Sequence, residues 1–142
     1  MVSISRPNII CITETWLSSS VQDSLISIPN YSTCRCDRAT HKGGGCAIFI
    51  DNRLSFDQLP CFNDLFHGVE GILIRLVQPQ IFVMCIYVPP SVPASILQAI
   101  TESVNLRIDE VSTQFLSHQV VICGDLNQLN IKDFVTTSIS MT

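Results

Sequence analysis

The stretch Val120-Val121-Ile122-Cys123-Gly124-Asp125-Leu126-Asn127 constrains this chain more than any other. Four apolar residues in a row, led by β-branched ones, read as a buried strand. The run stops at a glycine and delivers an acid and an amide two residues apart, where the strand leaves its sheet. Rims of that kind are where α/β proteins place their sites. Near the start, Ile9-Ile10-Cys11-Ile12-Thr13-Glu14 repeats the layout, and there the apolar strand, read as fully buried, ends in a single carboxylate. If the two strands are neighbours, Glu14 and Asp125 share a site. Mg²⁺ suits such a pair, because it binds through one or two carboxylates and keeps waters that a substrate phosphate can displace. Ordinary turn residues would leave the same pattern.

The rest of the chain reads as alternating strands and helices. Ser18 to Ser20 are expected to cap a short helix over Val21 to Ile26, ended by Pro29-Asn30. Strands are expected at Tyr31 to Arg35 and at Cys46 to Ile50, the second entered through the turn Gly43-Gly44-Gly45. Ser55 to Gly68 reads as irregular. Gly71 to Val77 and Ile81 to Val88 then form strands joined by a hairpin loop at Gln78-Pro79-Gln80. Pro89 to Pro93 break the sheet pattern. Helically spaced apolar residues, among them Ile100, Val104, Ile108 and Val111, predict a sheet-covering helix within 94–117. A last strand spans Gln119 to Cys123, and Thr136 to Thr142 read as a loose tail. The fold class is α/β, with mixed strand directions, in one domain spanning 1–142.

A length of 142 residues suits one compact domain. Hydrophobic residues at 46% against 14% charged exclude disorder as the default. A net charge of −4 argues against a protein that coats nucleic acid non-specifically, yet a local basic groove would still serve a nuclease. Four of the seven cysteines, Cys11, Cys46, Cys85 and Cys123, sit in apolar runs, as buried reduced thiols do. No secretory signal is expected, and the run Ile81 to Val88 is too short to span a bilayer. The expected setting is intracellular, nuclear or cytoplasmic, without a membrane partner. Oligomeric state is left open.

Tyr87 and Asn127 complete the chemistry-bearing set. A tyrosine at a strand end either offers its hydroxyl to a phosphate in a cleft or packs as an amphipathic core-edge residue. The Asn127 amide can donate to a phosphoryl oxygen or orient an attacking water. A soft-metal alternative is Cys34, Cys36, His41 and Cys46 holding Zn²⁺. Its Cys-x-Cys spacing is atypical, and Cys46 opens an apolar strand.

Four segments in order resemble the endonuclease/exonuclease/phosphatase superfamily, specifically the endonuclease domain of non-LTR (LINE-type) retrotransposons. They are Pro7-Asn8-Ile9-Ile10-Cys11-Ile12-Thr13-Glu14-Thr15-Trp16-Leu17; Cys36-Asp37-Arg38 with Gly43-Gly44-Gly45-Cys46-Ala47-Ile48; Tyr87-Val88-Pro89-Pro90; and Gly124-Asp125-Leu126-Asn127. The resemblance covers residues 7–134. It implies a two-sheet α/β sandwich flanked by helices, with the site on one rim, and Mg²⁺-dependent hydrolysis of a DNA phosphodiester by an in-line water. Under it Glu14 is the metal-binding glutamate and Tyr87 contacts the scissile phosphate. Asp125 helps activate the nucleophile, with Asn127 as its companion. Trp16 reads as a packing residue. Arg38 reads either as paired with Asp37 or as a nucleic-acid contact, and the glycines as serving backbone conformation.

Two parts of the family pattern have no counterpart here. The family's upstream catalytic asparagine is missing, since the sole Asn before Glu14 is Asn8, just ahead of the strand. The downstream Ser-Asp-His segment is missing too, and His41, His67 and His118 all precede Asn127. The resulting expectation is a sandwich incomplete at both ends, with exposed sheet edges, and a DNA endonuclease domain impaired or inactive by itself. The alternative is a non-catalytic binding or interaction remnant of a degenerate retroelement. A phosphomonoester or lipid phosphate substrate is disfavoured by the Thr13-Glu14-Thr15-Trp16-Leu17 and Asp37-Arg38 signatures.

Overall fold

The computed structural model describes residues 6–39, 42–61 and 68–134. In chain order the elements are β1 (Ile9–Thr13), α1 (Asp23–Ile26), β2 (Tyr31–Cys36), β3 (Cys46–Asp51) and β4 (Phe56–Leu59). They continue with β5 (Glu70–Leu76), β6 (Ile81–Tyr87), α2 (Ala94–Gln114), β7 (Gln119–Asp125) and a 3₁₀ turn at Ile131–Asp133. One sheet has the order β1-β3-β2 and the other β4-β5-β6-β7. All pairings are antiparallel except β6 with β7, which run parallel. Parallel neighbours need a long crossover, and α2 supplies it.

Period-two alternation explains why the two central strands are apolar throughout. From β3, Cys46, Ile48 and Ile50 face the space between the sheets, where they meet Ile72, Ile74, Val83, Cys85 and Tyr87. Ala47 and Phe49 turn outward beneath Tyr31, with Ile10 and Ile28 alongside. On β6 the other face, Phe82, Met84 and Ile86, packs under Ile100, Val104, Ile108 and Val111 of α2. Tyr87 therefore shares the inter-sheet face with Cys85, and this places its ring at the rim between the sheets.

The two strands that open the sequence argument lie elsewhere than expected. β1 and β7 belong to different sheets and each is an edge strand, only partly covered. Ile12 is 39% exposed and Val121 45% exposed. Their apolar runs signalled strands correctly but not two-sided burial, because no neighbour lies beyond either edge among the described residues. Three local expectations are also corrected. α1 is a single turn with Gln22 at its N-cap and no side-chain cap bond, since Ser18 and Ser20 share a hydrogen bond of 2.8 Å with each other. β4 occupies part of the stretch read as irregular, paired to β5. α2 ends at Gln114, leaving Leu116 exposed beyond it. Residues 62–67 and the expected tail at 136–142 lie outside the described residues.

Asp51, the last residue of β3, is fully buried and takes donors from two arginines. Arg53 reaches Oδ1 from its backbone N–H (2.9 Å) and Nε (3.0 Å), and Oδ2 from Nη2 (2.8 Å). Arg6 reaches Oδ2 from Nε at 3.0 Å, which ties the segment before β1 to β3. Arg53 first, then Arg6, hold the Asp51 carboxyl well below the usual carboxylate range. A depressed folded value stabilises fully above the ordinary value near 3.8 and is lost as pH falls from there through the folded value. Thermal melts should show Asp51→Asn less stable than the parent at neutral pH, with the gap narrowing below about pH 4. A gap independent of pH would remove the ionised carboxylate from the account.

Gly124 has φ +124°, and a Cβ there would run into the Ile86 carbonyl. Only glycine lets β7 close onto β6 at the level where Asp125 comes beside Tyr87. Gly124→Ala should cost about 2 kcal/mol or more in chemical denaturation. A parental midpoint would show that β7 does not need the close approach.

Candidate functional site

The site begins where β1 ends. Glu14 and Trp16 both adopt left-handed backbone conformations, with φ of 56° and 57°, a costly state for residues other than glycine. The glycine loop before β3 holds this turn in place. The Trp16 backbone N–H donates to the Gly44 carbonyl at 2.9 Å, and that of Thr15 to the Gly45 carbonyl at 3.4 Å. In return the Gly44 N–H donates to Glu14 Oε2 at 2.9 Å. Gly44 has φ +68°, and a Cβ there would strike the Arg38 guanidinium. The glycines thus serve backbone conformation, as their sequence implied, and Gly44 adds a direct donor to the carboxylate.

Trp16 corrects its sequence reading. It is 61% exposed rather than packed, and its indole Nε1–H donates to Glu14 Oε2 at 2.8 Å. The Lys42 ammonium lies 5.8 Å from the centre of its ring. Arg38 is corrected too. Asp37 pairs with Arg35 at 2.7 Å, whereas Arg38 makes a two-pronged pair with Glu70, Nε to Oε1 at 2.6 Å and Nη2 to Oε2 at 3.0 Å. A further bond from Nη2 reaches the Gly68 carbonyl at 3.0 Å. With its donors turned inward, Arg38 is not an open nucleic-acid contact. Its guanidinium stands 5.3 Å from the Tyr87 ring centre.

Tyr87 joins the two sheets at this rim. It is 3% exposed, lies opposite Glu70 on β5 and beside Asp125 on β7, and its hydroxyl acts on the Glu14 carboxylate. The Tyr87 hydroxyl, then the Gly44 N–H and the Trp16 indole, lower the Glu14 pKa, and the Arg38 charge adds to the effect. Burial and the Glu14 charge push the Tyr87 phenol up, so it stays a proton donor. Glu14 is therefore an exposed carboxylate kept ionised by donors it does not have to recruit from water.

Asp125 and Asn127 sit on the same rim across Tyr87. Asp125 is exposed, its carbonyl accepts the Val88 N–H at 2.9 Å, and its Oδ1 accepts the Asn127 N–H at 3.3 Å. Asn127, left-handed at φ 44°, donates from Nδ2 to the Val88 carbonyl at 2.6 Å. That amide N–H locks the loop rather than reaching outward. No hydrogen bond joins Glu14 directly to Asp125 or Asn127 among the described residues, and Tyr87 is the link. The four expected residues thus converge on one rim, although their strands are not neighbours in one sheet.

Sequence reasoning missed Glu70. Its signal was a charged residue at the head of an apolar run, passed over by starting the strand at Gly71. His118 belongs to the opposite rim, where its ring lies 5.1 Å from that of Phe82 and 5.3 Å from that of Phe115. The Cys34, Cys36, His41, Cys46 alternative loses support. Cys34, Cys36 and Cys46 pack in the inter-sheet core without a converging ligand set among the described residues, and His41 lies outside those residues. None of the seven cysteines is joined in a disulfide.

Residues 3–134 match the profile of the Endonuclease/Exonuclease/phosphatase family. The chain belongs to this family. Solved structures share its fold. ANGEL2, a 2′,3′-cyclic phosphatase, is 20% identical with a TM-score of 0.59, over 84% of this chain and 39% of its own. Truncated Caenorhabditis elegans TDP2 is 15% identical with a TM-score of 0.60, over 91% and 52%. D. rerio TDP2, in complex with a single-stranded DNA product, is 13% identical with a TM-score of 0.55, over 87% and 49%. The chain thus spans about half or less of these structures. No curated protein sequence matches it. The two sheets with helices agree with the family's α/β sandwich. Family members generally use divalent metal ions. The exposed Glu14 and Asp125 carboxylates are oxygen groups of the kind hard cations accept, and Glu14 is kept ionised although its Oε2 already takes the Gly44 and Trp16 N–H groups.

Replacing Tyr87 by Phe removes the largest influence on Glu14. The Glu14 carboxyl resonance should then titrate at higher pH than in the parent, moving toward 4.5. An unchanged midpoint would show that the phenol does not act on the carboxylate.

Proposed function

We propose that this chain is the Glu14-to-Asn127 part of a Mg²⁺-dependent DNA endonuclease domain of the non-LTR retrotransposon type, with little or no activity by itself. The observation that carries this reading is the ionised Glu14 carboxylate, held against Tyr87 on the rim that also presents Asp125. Glu14 would hold the cation, and the cation would supply charge stabilisation at the phosphate and the leaving oxygen. Tyr87 donates its phenolic proton as a hydrogen bond toward a phosphate oxygen. Asp125, exposed and anchored through its backbone, accepts a proton from the attacking water, and Asn127 fixes that loop against Val88.

Separate observations support the finer points. The retrotransposon signatures Thr13-Glu14-Thr15-Trp16-Leu17 and Asp37-Arg38 are intact. Trp16 and Arg38 each act on the site in the fold, one on the carboxylate and one on the Tyr87 ring. Impairment of the chain by itself is supported by β1 and β7 presenting partly exposed apolar edges. A DNA partner is supported by the product bound in the D. rerio structure, and an intracellular setting by seven cysteines without a disulfide. No helix among the described residues is long and apolar enough to cross a membrane.

Plasmid nicking in Mg²⁺ tests the proposal, with the chain alone, with a longer reading frame that restores the flanking segments, and with Glu14→Ala/Asp125→Ala in each. The chain alone should nick weakly or not at all. The longer protein should nick, and the double substitution should lower its rate by about 10²-fold or more. Robust nicking by the chain alone would overturn the impairment. Nicking by the longer protein that survives the substitutions would overturn the site.

A further inference from the structure

We propose that Cys11, Cys85 and Cys123 form a binding site for one soft, thiophilic cation of the Zn²⁺ or Cu⁺ class, in the inter-sheet core directly behind the rim. The three sulfurs come from β1, β6 and β7, hence from both sheets, and lie within 4.8 Å of one another. A thiolate site with metal–sulfur distances of about 2.3 Å sets its sulfurs about 3.8 Å apart in a tetrahedron. Closing around a cation therefore asks for small side-chain rotations rather than movement of strands. Cys46 stands beside Cys85 and directs its Sγ toward the Glu70 carbonyl at 3.6 Å, which makes it the nearest candidate for a fourth ligand.

Two simpler readings account for less. Buried cysteines commonly act as small apolar residues, yet Cys34 and Cys36 pack in the same core without converging. Among the described residues, this is the one group of three His, Cys, Asp or Glu whose ligand atoms meet. A disulfide would leave one sulfur of the three unpaired and would require an oxidant, whereas cation binding only releases thiol protons to solvent. Access also suits a cation. Cys85 is buried, but Cys11 and Cys123 are partly exposed along the open edges of β1 and β7.

The placement gives the site a consequence. Cys85 lies two residues before Tyr87, Cys123 two before Asp125 and Cys11 three before Glu14. A bound cation would clamp β1 to β6 and β7, fixing the distance between the two halves of the rim. Thiolates select soft cations and the Glu14 carboxylate a hard one, so the two sites do not compete. The inference does not depend on nuclease activity.

The test titrates the reduced chain with Cd²⁺, with Zn²⁺ and Cu⁺ as competitors and Mg²⁺ as the hard control. A sulfur-to-metal charge-transfer band should saturate at one cation per chain and yield to Zn²⁺ or Cu⁺ but not to Mg²⁺. Mass-mapped alkylation of the parent chain should show Cys11, Cys85 and Cys123 labelled about tenfold more slowly or less when Cd²⁺ is present, with Cys34 and Cys61 unchanged. The band should vanish in Cys11→Ala/Cys123→Ala and persist in Cys34→Ala/Cys36→Ala. No band, or protection mapped to Cys34 and Cys36 instead, would overturn the proposal. Because the alkylation map uses the unaltered chain, it decides the matter even if the double variant fails to fold.

Discussion

The Glu14 carboxylate is where the two sheets meet chemically. It ends an edge strand of one sheet, in a left-handed turn that the glycine loop holds, and the Tyr87 hydroxyl of the other sheet lowers its pKa. Without the Gly44 and Trp16 donors, two left-handed residues at the end of an edge strand would have little to keep them there. Without the Tyr87 hydroxyl, the inter-sheet packing would end in apolar contacts and would define no polar rim. The strain of the turn, the orientation of the carboxylate and the register between the sheets are thus coupled through one group.

Charge continuity then runs inward from that group. Glu14 meets the phenol, the Arg38 guanidinium lies over the phenol ring, and Arg38 is neutralised in turn by buried Glu70. Since Glu70 and Tyr87 face each other across β5 and β6, the pairing of two neighbouring strands positions both ends of the chain of groups. A buried arginine without its carboxylate partner would cost several kcal/mol, about 3–5 by analogy with broken buried pairs. Glu70 therefore acts on the site through Arg38. The same logic separates Asp51, whose Arg6 partner fastens the chain ahead of β1 and whose Arg53 partner holds the turn after β3, leaving the rim untouched.

How legible this was depends on range. Period and turn chemistry are local, so Cys46 to Ile50, Ile81 to Val88 and the long helix could be read from residue order, as could the strand-end placement of Asp125 after Gly124. Their partners are not local. Nothing in Ile9 to Ile12 or Val120 to Cys123 says which sheet each joins or that each lies at an edge, and both were read as buried. The resemblance placed Glu14, Tyr87, Asp125 and Asn127 in one site and the fold brings them to one rim, but it could not show that Trp16 grips the carboxylate from solvent. It likewise gave Arg38 two readings, and its true partner lies 32 residues away.

Crystals soaked in Mn²⁺, standing in for Mg²⁺, give the most direct test through the anomalous signal of the metal. The account predicts a peak within about 2.0–2.3 Å of a Glu14 carboxylate oxygen, on the side facing Tyr87 and Asp125. A peak elsewhere on the surface, or none at saturating Mn²⁺ with the Glu14 carboxylate still held by Gly44 and Trp16, would contradict it.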